Sequence, residues 1–150
     1  MTNTNLMDKK DLITSAGKLG PFSKATAEAY AAASQRMVAR INEQMISRPD
    51  IDELVGKAGR EMMCDNHANH ARFIASILEN HNPEVLVETI LWVFRAYRSR
   101  EFASTYWAAQ LNAWIEITRE ELPAEAYNEA LPLYEWMQVN IPLFEHLSHQ

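Results

Sequence analysis

The amino-acid sequence predicts one all-α domain spanning residues 1–150. Between turn signals, apolar residues recur at three- and four-residue steps, which is the period of an amphipathic helix. No stretch alternates apolar and polar residues for long enough to indicate a strand, and neither Asn-Gly nor Asp-Gly marks a hairpin. Four glycines and six prolines are also too few for a turn-rich β-sandwich. A chain of this length buries about two thirds of its unfolded surface, so we expect a substantial core.

The first long helix is expected over residues 22–47, after an N-terminal extension of residues 1–21 that can be partly helical. Ser23 is a candidate N-cap, and the many alanines that follow it favour a helix. One stripe of this Ala-rich helix is apolar and consists of Tyr30, Ala33, Met37, Ile41 and Met45. A short helical turn is expected after Asp50, and the next full helix over residues 60–80.

A helix over residues 83–99 has the clearest start signal in the chain. Asn82 is a good cap, and Pro83 suits the first helical position because the N–H that proline lacks is unpaired there. The polar side chains of this helix share one stripe, and its other sides are apolar. A helix that is apolar on most sides normally lies between other helices, so we expect this one at the centre of the fold.

Two further helices are expected over residues 102–122 and 124–147. Pro132 and Pro142 lie inside the second pattern, and each removes a backbone donor. We therefore expect a kink or a restart of the helix at these prolines. Together with the short turn after Asp50, the chain is expected to form about six helices.

Composition and charge exclude several classes of partner. The net charge is −6, with 14 Lys and Arg against 20 Asp and Glu, which argues against nucleic acid and against anionic membranes. The longest apolar runs, such as residues 90–94, reach only five residues, and the first twenty residues contain no apolar signal-peptide region. We therefore expect neither a transmembrane helix nor a signal peptide. Cys64 is the only cysteine, so no internal disulfide forms and a cytoplasmic location is expected.

The helix over residues 60–80 carries the least ordinary feature of the sequence. On its helical wheel, His67, His70 and Ile74 lie within about 40° of Met63, so the imidazoles share the apolar face. With Trp92 from the following helix, these four residues form a candidate ligand pocket. Three interpretations of the histidines remain open at this point. They are packed core residues with ordinary hydrogen bonds, they bind the polar end of a small ligand, or they bind a metal.

The metal interpretation uses Cys64, His67 and His70, which are spaced C-x-x-H-x-x-H on adjoining turns. Thiolate and imidazole are both good zinc ligands, but zinc takes a fourth ligand that the sequence does not identify. No catalytic motif accompanies these residues: a Gly-rich phosphate loop, G-x-S-x-G, H-E-x-x-H and the di-iron E-x-x-H pair are all missing. We therefore predict no catalytic residue and no enzymatic activity. Among the aromatic residues, Tyr106 and Trp136 are candidates for a dimer interface.

From about residue 60 to 148, the chain resembles the last four helices of the globin and phycobiliprotein superfamily. The resemblance is carried by C-D-N-H-A-N-H-A-R-F-I-A-S-I-L at 64–78, by N-P-E-V-L at 82–86 and by the Trp-rich helices that follow. The Arg72-Phe73 pair is similar to the Arg-aromatic pair of phycobiliproteins. The resemblance implies a globin-like helical bundle, in which the long Ala-rich helix supplies the opening part.

Two departures from these families limit the cofactors that the resemblance implies. Phycobiliproteins follow the bilin-bearing Cys with an Arg-Asp pair, whereas Cys64 is followed by Asp65, Asn66 and His67. Covalent bilin attachment at Cys64 is therefore only an alternative. Haem globins have a proximal His on the helix that corresponds to residues 83–99, and this helix has none. Haem ligation would have to use His81 or a pair of histidines on one helix, which argues against haem. Sensor-globin domains of bacterial stressosome regulators bind no haem and agree best with these absences.

The resemblance thus implies a sensory or regulatory domain in a bacterial cytoplasm that acts as a homodimer. We expect a small apolar or anionic ligand to enter between the 60–80 and 83–99 helices, contact His67 and His70, and shift the packing at the dimer interface. The signal would then leave through a protein partner. Two alternatives are a bilin-like chromophore or metal carrier that uses Cys64, and a ligand-free protein-interaction module.

Overall fold

The computed structural model of the chain describes residues 8–149. Every regular element in this range is a helix, so the all-α class is confirmed for the described part of the chain. The helices are α1 (Lys9–Gly17), α2 (Lys24–Ile46), α3 (Ile51–Val55), α4 (Arg60–Glu79), α5 (Pro83–Arg98), α6 (Thr105–Glu121), α7 (Ala124–Val139) and α8 (Ile141–Leu147). None of them combines the length and the apolarity that crossing a bilayer requires.

Helix α2 lies at the centre of the fold. It packs against α4, α6 and α7, and its predicted apolar stripe is buried along the whole helix. The helix begins after Ser23, whose hydroxyl accepts a hydrogen bond from the Thr26 amide at 3.2 Å, as the cap prediction requires. The alanines on this helix allow the neighbouring helices to approach closely, because a methyl group takes little room.

The N-terminal extension contributes to the core through α1, which packs against α5. Asp8 and Asp11 form a reciprocal capping box at the start of α1, and Leu12 and Ala16 are fully buried. The extension was predicted to be partly helical over residues 1–21, and its helix is α1. The part of that prediction that concerns residues 1–7 lies outside the described residues.

Helix α5 starts as predicted, but it is not the central helix. Asn82 caps it through a hydrogen bond from the Val85 amide at 3.1 Å, and Pro83 is its first residue. It packs against α1 on one side and α8 on another, while Val85 and Trp92 remain 47% and 63% exposed. The prediction that α5 lies at the centre of the fold was wrong, because α2 fills the middle of the bundle. The outer apolar side of α5 is therefore left uncovered.

The last predicted helix is divided in two. Pro132 lies within α7 without ending it, whereas the chain restarts at Asn140, and Pro142 occupies the first turn of α8. Proline is tolerated in a first turn because the missing N–H would have no helical partner there. This division and the formation of α1 explain why residues 8–149 contain eight helices instead of about six.

The two aromatic residues predicted to form a dimer interface are buried. Tyr106 is fully enclosed, and Trp136 is 8% exposed and donates from Nε1 to the Ser15 hydroxyl at 2.9 Å. Their polar neighbours along the sequence lie on other faces of their helices. The polar ends of these side chains therefore find partners inside the protein, which corrects the interface prediction.

Gly59, the residue before α4, is a position where we expect substitution to be costly. A Cβ atom at Gly59 would lie 1.9 Å from the carbonyl oxygen of Val55, so Gly59→Ala forces the corner between α3 and α4 open. We expect a loss of about 3 kcal/mol in the free energy of unfolding, measured by urea denaturation. The matched control is Gly17→Ala, where the nearest atom is Pro83 Cγ at 3.8 Å and the change should stay within about 0.5 kcal/mol. Equal stability of the two variants would contradict this account of the corner.

Candidate functional site

A cavity of about 210 Å³ lies between α4 and α5, with further walls from α6, α7 and α8. We call it the α4–α5 cavity. Its apolar wall includes Phe73, Ile90, Val93, Phe94, Trp107 and Leu111. Its polar wall consists of Asn66, Asn69, His70, Thr89, Tyr97 and Gln110. Apolar surface with a few polar groups is the usual composition of a small-molecule site.

Within the part of the chain that the structure describes, the wall of the α4–α5 cavity contains no lysine, arginine, aspartate or glutamate. The cavity opens to solvent beside Asn69 and Trp92, but an ion that entered its apolar interior would lose part of its hydration without gaining a partner of opposite charge, which is costly. The wall is therefore suited to a neutral molecule.

His70 is the polar wall residue whose surroundings are best defined. Its Nε2 lies 2.8 Å from the Tyr134 hydroxyl, which in turn lies 2.7 Å from the Tyr30 hydroxyl. The imidazole also stacks on the Trp114 indole, with ring centroids 4.5 Å apart and 26° between the planes. The hydrogen bond and the stacking together fix the orientation of the ring.

The direction of this hydrogen-bond chain follows from Tyr30, which is fully buried on α2. Within residues 8–149, the Tyr30 hydroxyl has no acceptor other than Tyr134, and a buried donor without an acceptor costs about 1–3 kcal/mol. Tyr30 therefore donates to Tyr134, and Tyr134 donates to His70 Nε2. A neutral imidazole that accepts at Nε2 carries its proton at Nδ1. His70 consequently presents a hydrogen-bond donor that no other group in residues 8–149 uses.

A second buried network lies behind the cavity and is centred on His67. Its Nδ1 lies 2.7 Å from Asn42 Oδ1, and because an amide oxygen only accepts, this nitrogen carries the proton. Its Nε2 faces the Tyr106 hydroxyl at 3.2 Å. Asn66 Oδ1 accepts from that hydroxyl at 2.8 Å and from Gln110 Nε2 at 3.0 Å. The network thus holds two cavity-wall side chains, Asn66 and Gln110, in place.

Both imidazoles are uncharged at neutral pH. Burial lowers the pKa of His67 to about 3. Burial, together with the nearby His67, lowers the pKa of His70 to about 3 as well. The hydroxyls that contact them also resist ionisation, since burial raises the pKa of Tyr106 and of Tyr134. The cavity therefore offers polarity without charge.

The residues of the predicted ligand pocket are divided between the cavity and the core. His70 and Trp92 belong to the cavity wall. His67 lies one layer behind it, and Met63 and Ile74 are fully buried. The structure therefore brings two of the five residues to the cavity and places the other three in the packing that supports it.

Cys64 is half-buried and does not belong to the cavity wall. Burial, followed by the Asp65 and Glu61 carboxylates, raises the pKa of its thiol, which disfavours the thiolate needed for metal binding or bilin attachment. Within residues 8–149, no three His, Cys, Asp or Glu side chains are grouped so that they could hold a metal. The metal set of Cys64, His67 and His70 therefore finds no support.

His81, which the haem alternative would use, has a different role. Its Nε2 bonds with the Ala16 carbonyl at 2.9 Å, and its ring packs edge-on against Phe22 with centroids 5.4 Å apart. Gly20 lies directly against the same ring, where a Cβ atom would be 2.6 Å from Cδ2. His81 thus stabilises the segment that connects α1 and α2, and it lies outside the cavity wall.

Sequence reasoning missed most of the polar wall. Gln110 lies four residues after Tyr106 and four before Trp114, so an amide interrupts the apolar face of α6. Asn66 directly precedes His67 and is also buried. Buried amides at these positions were the available signal, since a buried polar side chain needs a partner and often marks a site.

Comparison of the chain with family models, with curated proteins and with solved structures finds no match. The similarity to globins and phycobiliproteins therefore remains a prediction from the sequence.

Proposed function

We propose that this chain is a non-enzymatic sensory domain that binds one small, neutral, largely apolar molecule in the α4–α5 cavity. The observation that carries the proposal is an uncharged cavity of about 210 Å³ whose polar groups are held by buried hydrogen bonds. An engineered apolar cavity of about 150 Å³ binds benzene, and drug-sized sites measure roughly 300–1,000 Å³. A molecule of one or two rings is therefore the expected size.

The proposal narrows the ligand class that the sequence left open. An apolar or an anionic ligand was expected to contact His67 and His70. In the cavity, His70 is neutral at pH 7, and among residues 8–149 no Lys or Arg belongs to the wall. An anion would thus be desolvated without compensation, which favours the neutral ligand.

A ligand in the cavity can affect the protein surface through Trp92. It belongs to the cavity wall, yet it is 63% exposed, and Val85 lies two turns earlier on the same side of α5. We place the homodimer interface of the proposed sensor on this face. A ligand that binds two dimer states with different affinity would then shift the dimer between them. The bacterial cytoplasm and the globin-like arrangement belong to the proposal through the sequence resemblance.

Naphthalene is the probe that tests the proposed ligand class, with 2-naphthoate as its charged counterpart. In a titration followed by amide ¹H–¹⁵N spectra, we expect naphthalene to shift the amides of residues 89–94 in α5. The carboxylate of 2-naphthoate finds no cation in the cavity wall, so we expect it to bind at least about tenfold more weakly. An absence of shifts in the cavity residues at saturating naphthalene, or tighter binding of 2-naphthoate, would contradict the proposal.

Sedimentation velocity tests the proposed dimer interface on α5. We expect the natural chain to sediment as a dimer and Trp92→Arg as a monomer, since a charge in an apolar interface lacks a partner. Val139→Arg is the control, because Val139 is also exposed, at 73%, but belongs to α7 and not to α5, so this variant should remain dimeric. A natural chain that sediments as a monomer would remove the dimer from the proposal and leave the cavity unaffected.

A further inference from the structure

We infer that the ligand of the α4–α5 cavity carries a hydrogen-bond acceptor, and that His70 Nδ1–H is the donor that it meets. The inference rests on the proposed function, because it specifies the chemistry of the molecule that occupies the same cavity. The ligand class is a neutral aromatic molecule with a ring nitrogen or a carbonyl oxygen at its inner edge.

The donor at Nδ1 is fixed by groups that lie outside the cavity. Tyr30 donates to Tyr134, and Tyr134 donates to His70 Nε2, at 2.7 Å and 2.8 Å. Reversing this chain would leave the proton of the fully buried Tyr30 hydroxyl without an acceptor within residues 8–149. The two tyrosines therefore determine that His70 presents a hydrogen-bond donor, and not an acceptor, to the ligand.

The orientation of the His70 ring is held by its neighbours, so Nδ1 remains the nitrogen that is free to donate. A half-turn of the ring would put the carbon Cε1 where Nε2 lies and break the hydrogen bond to Tyr134, and the stack on Trp114 holds the ring plane. Thr89 can either donate or accept, because a hydroxyl group rotates to suit its partner. Of these two wall residues, His70 is the one that discriminates between an acceptor and a donor on the ligand.

Quinoline and naphthalene have nearly the same shape and differ in one acceptor nitrogen, so together they isolate this contact. At pH 8, where quinoline is neutral, we expect His70→Phe to weaken quinoline binding by about tenfold and naphthalene binding by less than about twofold. Phenylalanine keeps a ring against Trp114 and removes the donor. His146→Phe is the matched control, because His146 is exposed on α8 and does not belong to the cavity wall, so the preference for quinoline should persist.

The outcomes separate this inference from the proposed function. If both probes bind and His70→Phe weakens them equally, the acceptor inference is wrong and the cavity remains a ligand site. If neither probe binds the natural chain, the proposed function fails and the inference fails with it.

A measurement on the natural chain covers the case in which His70→Phe does not fold. Long-range ¹H–¹⁵N spectra distinguish a protonated from an unprotonated ring nitrogen. We expect His70 to show a protonated Nδ1 and an unprotonated Nε2, and we expect quinoline to shift the Nδ1 resonance. The opposite tautomer would overturn the inference.

Discussion

Lowering the pH from 7 to 5 is expected to reduce the free energy of unfolding by about 4 kcal/mol. His67 and His70 have a pKa of about 3 in the folded protein, against 6.5 as the ordinary value. Between these values the unfolded chain binds more protons than the folded one. The stability that the two neutral imidazoles contribute is therefore fully present above pH 6.5 and is lost as the pH falls toward 3.

The size of the effect follows from the two groups together. Each imidazole contributes a slope of about 1.4 kcal/mol per pH unit, and the two give about 2.7 kcal/mol per unit well below pH 6.5. Their hydrogen-bond partners, Asn42, Tyr106 and Tyr134, are uncharged, so none of them supplies a negative charge to stabilise the protonated forms. The loss expected by pH 5 is a large fraction of the roughly 5–15 kcal/mol that stabilises a typical domain, so the urea midpoint should fall clearly with pH.

Urea denaturation at pH 7, 6 and 5 measures this slope. His67→Gln removes one of the two titrating groups and should halve the slope, which is the control for the assignment. A free energy of unfolding that stays constant from pH 7 to pH 5 would show that the imidazoles are not buried in neutral form.

Val93→Trp is expected to abolish naphthalene binding. Val93 belongs to the apolar wall of the α4–α5 cavity, and an indole at this position takes up the space that the probe needs. Calorimetry or the amide titration should show no binding by this variant. Its thermal stability should be kept or raised, because the new side chain fills a void.

The control for Val93→Trp is the same substitution at an exposed valine outside α5. Val139 is 73% exposed on α7 and does not belong to the cavity wall, so Val139→Trp should bind naphthalene as the natural chain does. Naphthalene should also raise the melting temperature of the natural chain and of Val139→Trp, since a ligand that binds only the folded state stabilises it. Undiminished binding by Val93→Trp would place the probe elsewhere.

Local signals predicted much of the fold. Ser23 and Asn82 begin their helices through side-chain hydrogen bonds, and Pro142 lies where the chain restarts. These signals depend on a few neighbouring residues, so they can be read directly from the sequence. The position of α5 depends instead on which helix fills the centre, and an apolar pattern alone does not contain that information.

The site was harder to predict because one face of α4 meets several neighbours. Met63 and Ile74 lie at the centre of the predicted face and are buried in the core, since α4 packs against α2. The cavity stripe contains Asn66 and Phe73, which lie about 60–80° round the helix from Met63. His70 lies between the predicted face and the cavity stripe, so it belongs to both the predicted pocket and the observed cavity wall. The partners Tyr30 and Tyr134 come from distant parts of the chain, and no local pattern links them to His70.

The most direct test of the α4–α5 cavity as a ligand site is a crystal structure of the protein grown with 6-bromoquinoline. Anomalous scattering from bromine locates the probe independently of its shape. We predict a bromine peak in the α4–α5 cavity, with the ring nitrogen within hydrogen-bond distance of His70 Nδ1. A cavity that stays empty at saturating probe, or one that side chains have filled, would contradict the account.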